Sequence, residues 1–314
     1  MALEVFSFQY ENNELYKRFV DAIGVLPEKV DNIEKIPFLP VSFFKTKKVV
    51  TTSFEPEIVF ESSGTTGVNT SRHYLKSTAL YKESFLKTFD LFYGNPLEWS
   101  ILALLPGYLE RENSSLVYMV NSLIKISGQQ GSGFYLRDHE NLYRALVHNE
   151  IAGKPTLLIG VTYALLDFAE RHPIKLNNTI VMETGGMKGK REEITREEVH
   201  RQLKENFGLA SVHSEYGMTE LLSQAYSKGD GKFNCPPWMK ILTREYNDPF
   251  VISSRGQSEK PVNGLINIID LANVYSCSFI ATDDVGRLYK DSSFEVMGRR
   301  DQSDLRGCSL LTTE

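Results

Sequence analysis

Between Ser77 and His213, short apolar runs alternate with longer segments whose apolar residues recur at helical spacing, a pattern that few folds accept. Residues 99–105, 156–159, 179–182 and 210–213 read as buried strands. Residues 77–92 (with Ser77 as cap), 114–126, 140–150, 162–171 and 195–207 read as helices, the last opening on a Thr195-x-x-Glu198 capping pattern. Strands that alternate with helices imply a mostly parallel sheet covered by helices on both faces, so the fold class is α/β. From Lys240 the character changes. Residues 240–244, 264–269, 276–281, 287–289 and 294–297 are short strands between turns. They make 240–297 a β-rich subregion closing one large domain over 1–297. Upstream, 11–23 reads as a helix, and Pro37 and Pro40 keep the apolar stretch 36–45 extended.

Several classes of function are excluded at this level. A net charge of -5 offers no polyanion-binding surface, so nucleic acid is not an expected partner. No apolar run approaches the roughly 20 residues that cross a bilayer, so the chain is not expected to be integral to a membrane. Met1-Ala2-Leu3-Glu4 lacks the basic start of a signal peptide, and a cytoplasmic protein is expected. Cys235, Cys277 and Cys308 are too widely spaced for a zinc site or a disulfide framework.

The loops carry the candidate chemistry. Ser62, Ser63, Gly64, Thr65, Thr66 and Gly67 follow the short strand 58–60. Their hydroxyls, permissive glycines and successive backbone N–H groups suit an anion, although a solvated turn has the same composition. The spacing is not that of a Walker A loop. Arg72, His73 and Lys76 lie just beyond and could add positive charge. Tyr216-Gly217-Met218-Thr219-Glu220 follows a strand, where open α/β sheets bind ligands; Thr219 could donate to a phosphate and Glu220 could ligate Mg²⁺, or both could sit in a solvated turn. Gly185-Gly186-Met187 also leaves a strand and could pass close to a flat base. Thr282-Asp283-Asp284 puts two acids in a turn, where a carboxylate could accept two ribose hydroxyls. Arg299 could reach phosphate or ribose. Arg306 stands two residues before Cys308, and a nearby cation favours a thiolate; a buried, inert Cys308 is the other reading.

These segments occur together and in order, and the ordered set resembles the adenylate-forming superfamily of acyl-CoA synthetases, peptide adenylation domains and luciferases. More narrowly, Ile36-Pro37-Phe38-Leu39-Pro40-Val41, Phe43-Phe44-Lys45, the glycine loop and Leu305-Arg306-Gly307-Cys308 are similar to the LuxE-type acyl-protein synthetases. The resemblance implies the large N-terminal domain of that fold, followed by a hinge at Asp301 within a truncated tail, 298–314, with the small C-terminal domain absent. It implies ATP and Mg²⁺ as cofactors and ATP-dependent activation of a carboxylic acid, in particular a fatty acid. Ser62, Ser63, Gly64, Thr65, Thr66, Gly67 and Arg72 would hold the phosphates. Gly185, Gly186, Met187, Tyr216 and Gly217 would flank the base. Thr219 would meet the α-phosphate, Glu220 the Mg²⁺, Asp284 the ribose and Arg299 the ribose or phosphate. Cys308 would carry the acyl group toward an acceptor, either a protein of the acyl-reductase kind or a carrier. Transfer to coenzyme A or a sugar, and a non-catalytic nucleotide-binding scaffold, are the alternatives. One departure from the superfamily is plain: Val68-Asn69-Thr70-Ser71-Arg72-His73 stands where Pro-Lys-Gly is usual, with Arg72 in place of the lysine's charge.

Overall fold

The computed structural model describes residues 1–62, 70–106, 111–185, 191–192, 194–254 and 260–300. They fall in two compact units. One comprises Met1–Thr78, Glu220–Leu222 and the chain from Asn234 onward; the other comprises Ala79–Thr219 and Ser223–Phe233.

The first unit opens with two helices, α1 (Ala2–Asn12) and α2 (Glu14–Ala22). The sequence suggests one helix over 11–23. Asn13 divides it, because its backbone is extended and its side chain accepts the Tyr16 amide as the cap of α2. The proline stretch also departs from expectation. Only β1 (Leu39–Pro40) is a strand; a short helix, α3 (Phe43–Thr46), follows at once. Next comes an antiparallel hairpin of β2 (Ile58–Glu61) and β3 (Arg72–Leu75), with Glu61 opposite Arg72.

The second unit matches the alternating pattern. Its helices are α4 (Thr78–Tyr93), α5 (Ser115–Ser127), α6 (His139–Ile151), α7 (Thr162–Arg171) and α8 (Arg196–Phe207). Its strands are β4 (Ser100–Leu104), β5 (Gly133–Phe134), β6 (Thr156–Val161), β7 (Thr179–Thr184), β8 (His213–Tyr216) and β9 (Ala225–Ser227). They lie in the order β5-β4-β6-β7-β8-β9, parallel except for β9. Every residue of β4 and β6 is buried, as a sheet covered on both faces requires. The strand expected at 210–213 begins only at His213. Thr195 caps α8 by accepting the Glu198 amide, and Gly208 closes it in the left-handed region at φ 64°.

The two-residue strand β10 (Phe233–Asn234) precedes the rest of the first unit. There β11 (Met239–Arg244), β12 (Ile252–Ser253), β13 (Val262–Asp270), β14 (Phe279–Leu288) and β15 (Phe294–Arg299) form an antiparallel sheet in the order β12-β11-β13-β14-β15. The turn expected at 282–286 lies inside β14. One edge of β14 is shared: β1 pairs in parallel with Ile280 and Ala281, and β15 pairs antiparallel from Asp284 onward. Thr282 and Asp283 stand where one neighbour gives way to the other. Gly298 and Arg299 complete β15, which runs two residues past the strand expected at 294–297. Among the described residues no helix is long and apolar enough to cross a membrane.

Candidate active site

In the first unit the glycine loop springs from the β2–β3 hairpin. The Ser62 amide donates to the Ser71 carbonyl at 3.1 Å, and the Ser71 amide returns a bond to Ser62 Oγ at 2.9 Å. Ser62 thus clips the loop's base through its hydroxyl. Ser63, Gly64, Thr65, Thr66 and Gly67 lie outside the described residues. Arg72 is exposed and stands 3.6 Å from Glu61, which shares its charge. His73, the next residue, lies differently. It is buried against the edge of Phe44, because alternation along β3 turns it inward. Lys76 lies over the Tyr275 ring at 4.2 Å.

Glu220 is buried beside that base. Its carbonyl accepts Asn273 Nδ2 at 2.7 Å, and the Leu222 amide two residues on donates to Asp270 Oδ2 at 2.8 Å. Asp270 itself has no exposed surface, and its other oxygen accepts the Ala272 amide at 3.1 Å. The short segment 220–222 is therefore pinned at both ends by buried polar groups. Burial raises the Glu220 carboxyl above the usual range; the Ser71 hydroxyl, its own amide, and the charges of Arg299 and Lys45 pull the other way.

Arg299, whose charge acts on Glu220, is itself anchored. Its Nε donates to Asp284 Oδ1 at 3.1 Å, the two being opposite one another on β15 and β14. Asp284 is buried while the Arg299 side chain is 57% exposed, so the pair presents its charge from an anchored base. The Asp284 amide bonds to Thr282 Oγ1, which donates to the Ile266 carbonyl. Asp283 is exposed. Arg244, buried beneath, ties this strand down: it donates to the carbonyls of Ile266 and Thr282 and to Asn267 Oδ1. Burial lowers its pKa to about 10. Ser62 and Ser71, Glu220, Arg299 and Asp284 thus form one linked series in this unit.

The remaining nucleotide candidates lie in the second unit. Gly185 leaves β7 in the left-handed region at φ 79°. Gly186 and Met187 lie outside the described residues, as does Cys308. Tyr216 ends β8 with its ring edge-on to Phe233 at 5.9 Å. Gly217 and a half-buried Thr219 follow. Beneath them are two buried acids that sequence reasoning passed over. Glu215 accepts Thr184 Oγ1 at 2.6 Å. Burial raises its carboxyl to about 7, with Thr184 opposing and the charge of Glu183 adding to the rise. Glu183 accepts Thr162 Oγ1 at 3.1 Å and faces Arg196 and His200, each at 3.7 Å. Burial raises it, but His200, Arg196 and Ser214 outweigh that and hold it below the usual range.

Sequence reasoning also missed Ser71, Lys45, Asp270 and Asn273. A signal existed for one of them. Asp270 is a lone acid ending the apolar run Leu265-Ile266-Asn267-Ile268-Ile269, and an acid there must be satisfied by local amides.

No protein-family model matches the chain. A long-chain-fatty-acid–luciferin-component ligase of Vibrio harveyi is 25% identical to it over 337 residues, spanning 98% of this chain and 85% of the ligase. The ligase of the same description from Aliivibrio fischeri is 23% identical over 335 residues, with the same coverage. Among solved structures, ATP-bound MatB from Rhodopseudomonas palustris superposes with a TM-score of 0.57 at 16% identity, covering 77% of this chain and 47% of that one. The O-succinylbenzoate coenzyme A synthetase MenE from Bacillus subtilis, in complex with ATP and magnesium ion, gives 0.53 at 17% identity, covering 77% of this chain and 50% of that one. This chain thus matches about half the length of either protein. The fold is that of the N-terminal domain of adenylate-forming enzymes. In sequence, along nearly its whole length, the chain is similar to these two luciferin-component ligases, in line with the LuxE-type resemblance of its motifs.

Proposed function

We propose that this protein uses ATP to activate a long-chain fatty acid as its acyl-adenylate and then passes the acyl group to a protein thiol. The observation that carries the reading is the linked series from the loop base through Ser71, Glu220 and Arg299 to Asp284. It joins the candidate phosphate, metal and ribose groups in one unit. The similarity to the two luciferin-component ligases supplies the substrate class.

In this reading Ser62, Ser63, Gly64, Thr65, Thr66, Gly67 and Arg72 hold the ATP phosphates. Gly185, Gly186, Met187, Tyr216 and Gly217 flank the base, and Asp284 with Arg299 takes the ribose. The fatty carboxylate is already ionised at neutral pH, so no general base is needed. Its oxygen attacks the α-phosphorus, the bond to the β-phosphate oxygen breaks, and pyrophosphate leaves. Thr219 donates to the α-phosphate, while Arg72 and Arg299 offset the crowding of anions. Mg²⁺ suits Glu220, since a hard cation is ordinarily held by one or two carboxylates plus phosphate oxygens. When bound it would neutralise charge on the phosphates. In the second step a thiolate attacks the acyl carbon and AMP departs. Cys308 is the proposed first acceptor, and a cytoplasmic protein of the acyl-reductase kind the next.

Pyrophosphate exchange into ATP, measured over a panel of carboxylates, tests the first step. Long-chain acids should drive it, and Thr219→Ala or Glu220→Ala should nearly abolish it. Exchange at the wild-type rate in both variants would remove these residues from the site. With ATP and radiolabelled fatty acid, wild type should become labelled and Cys308→Ser should not.

A further inference from the structure

The backbone ladder between β7 and β8 stops early. Met182 pairs with His213 and Glu183 with Ser214, and there the register ends. The next two residues, Thr184 and Glu215, stay joined through their side chains at 2.6 Å. Both are buried, with relative exposures of 5% and 8%. Beyond this point no backbone pairing between the two strands is seen among the described residues. Gly185 turns away in the left-handed region, while the other strand runs on through Tyr216 to Gly217. Gly217 passes directly over the same carboxyl group: a Cβ added there would overlap Glu215 Oε1. The Glu183 carboxylate is engaged elsewhere, with Thr162, Arg196, His200 and Ser214.

A hydroxyl–carboxyl bond at the last position before two chains diverge fixes the width of the gap that opens beyond it. We infer that Thr184 and Glu215 are positioning residues for the nucleotide's base: they form a clasp that sets the spacing between the Gly185 exit and the Tyr216-Gly217 exit. The inference rests on the proposed nucleotide role of those two exits. In that reading the clasp acts on recognition of the base alone, apart from the proposed phosphate and metal roles.

That confinement gives the test. The full chain is titrated at equilibrium with ATP and, separately, with inorganic tripolyphosphate, as wild type, Thr184→Val, Glu215→Ala and Glu215→Gln. Loss of one buried hydrogen bond corresponds to about a tenfold change in affinity. Thr184→Val and Glu215→Ala should therefore weaken ATP about tenfold and leave tripolyphosphate unchanged, while Glu215→Gln, which keeps an acceptor for Thr184, should bind ATP as wild type does. Equal weakening of both ligands would reduce the clasp to a structural brace and overturn the inference, as would unchanged ATP affinity in both variants. Thr184→Val removes a hydroxyl without opening a cavity, so the test stands even where Glu215→Ala fails to fold. A wild type that binds tripolyphosphate and ATP equally would also overturn it. A wild type that binds ATP but shows no exchange with any carboxylate would remove the proposed activation and leave the clasp to be judged on binding alone.

Discussion

Replacing Glu215 by Gln should change how stability depends on pH, and the structure gives the size. Burial carries the carboxyl from 4.5 to about 7. Below pH 4.5 both folded and unfolded chains hold the proton, and the group has no effect. Between 4.5 and 7 the folded chain keeps a proton that the unfolded chain has released, so stability falls as pH rises. Above 7 both forms are ionised and the cost is complete. At about 1.4 kcal/mol per unit, the total is about 3 kcal/mol. Tyr93 and Tyr226 feel the same charge, and burial holds their phenols above the ordinary range, so they stay neutral across this window. Glutamine has no charge to lose. The stability of wild type relative to Glu215→Gln should therefore fall by about 3 kcal/mol between pH 4.5 and pH 8. Urea unfolding at the two pH values measures it, and the difference cancels the other titrating groups. The chain has two tryptophans, and they fall one in each unit: Trp99 with Glu215, Trp238 in the other. A Trp238→Phe background therefore reports the relevant unit alone. A wild-type-to-variant difference that stays constant across this range would refute the assignment of a buried, protonated Glu215.

Three further outcomes can be checked. Asp270→Ala leaves the buried amides of Leu222 and Ala272 without their acceptor and should cost about 2–4 kcal/mol in urea unfolding read from Trp238; Asp270→Asn, which keeps one acceptor oxygen, should lose about half as much. Asp284→Ala removes the buried anchor of Arg299 and should raise the KM for ATP in pyrophosphate exchange about tenfold. Lys45→Ala should lower the exchange rate at saturating ATP, because Lys45 is a cation acting on Glu220; Lys45→Arg should restore most of it.

The second unit was legible because burial on both faces of a parallel sheet forces continuous apolar runs, and β4 and β6 show them. The first unit was less so. Thr282-Asp283-Asp284 reads as a turn because Asp usually marks one. Here the Asp284 amide is satisfied by Thr282 and its carboxylate by Arg299, so the chain runs straight through as strand. The helix α3 was hidden by the prolines before it, which restrain residues up to Pro40 and say nothing of Phe43. Of the site, the residues that face a ligand in the proposed reading stand in recognisable motifs. Those that hold them do not. Asn273 meets Glu220 across 53 positions and Asp270 meets Leu222 across 48, and no local spacing encodes either contact.

The first unit is assembled from distant ends of the chain. Gln9 bonds to Ser278, 269 positions away, and the rings of Phe6 and Tyr16 pack on Phe279. On a ribosome, helices α1 and α2 emerge with their apolar faces bare and must wait for nearly the whole chain before their partners exist. The second unit is almost continuous in sequence, and nothing delays its closure. Synthesis from the N-terminus therefore favours an order in which the α/β sheet of the second unit folds first and the unit carrying Glu220, Asp284 and Arg299 closes last. The nascent protein is most open to aggregation in that interval, through the very aromatic faces that later seal the unit.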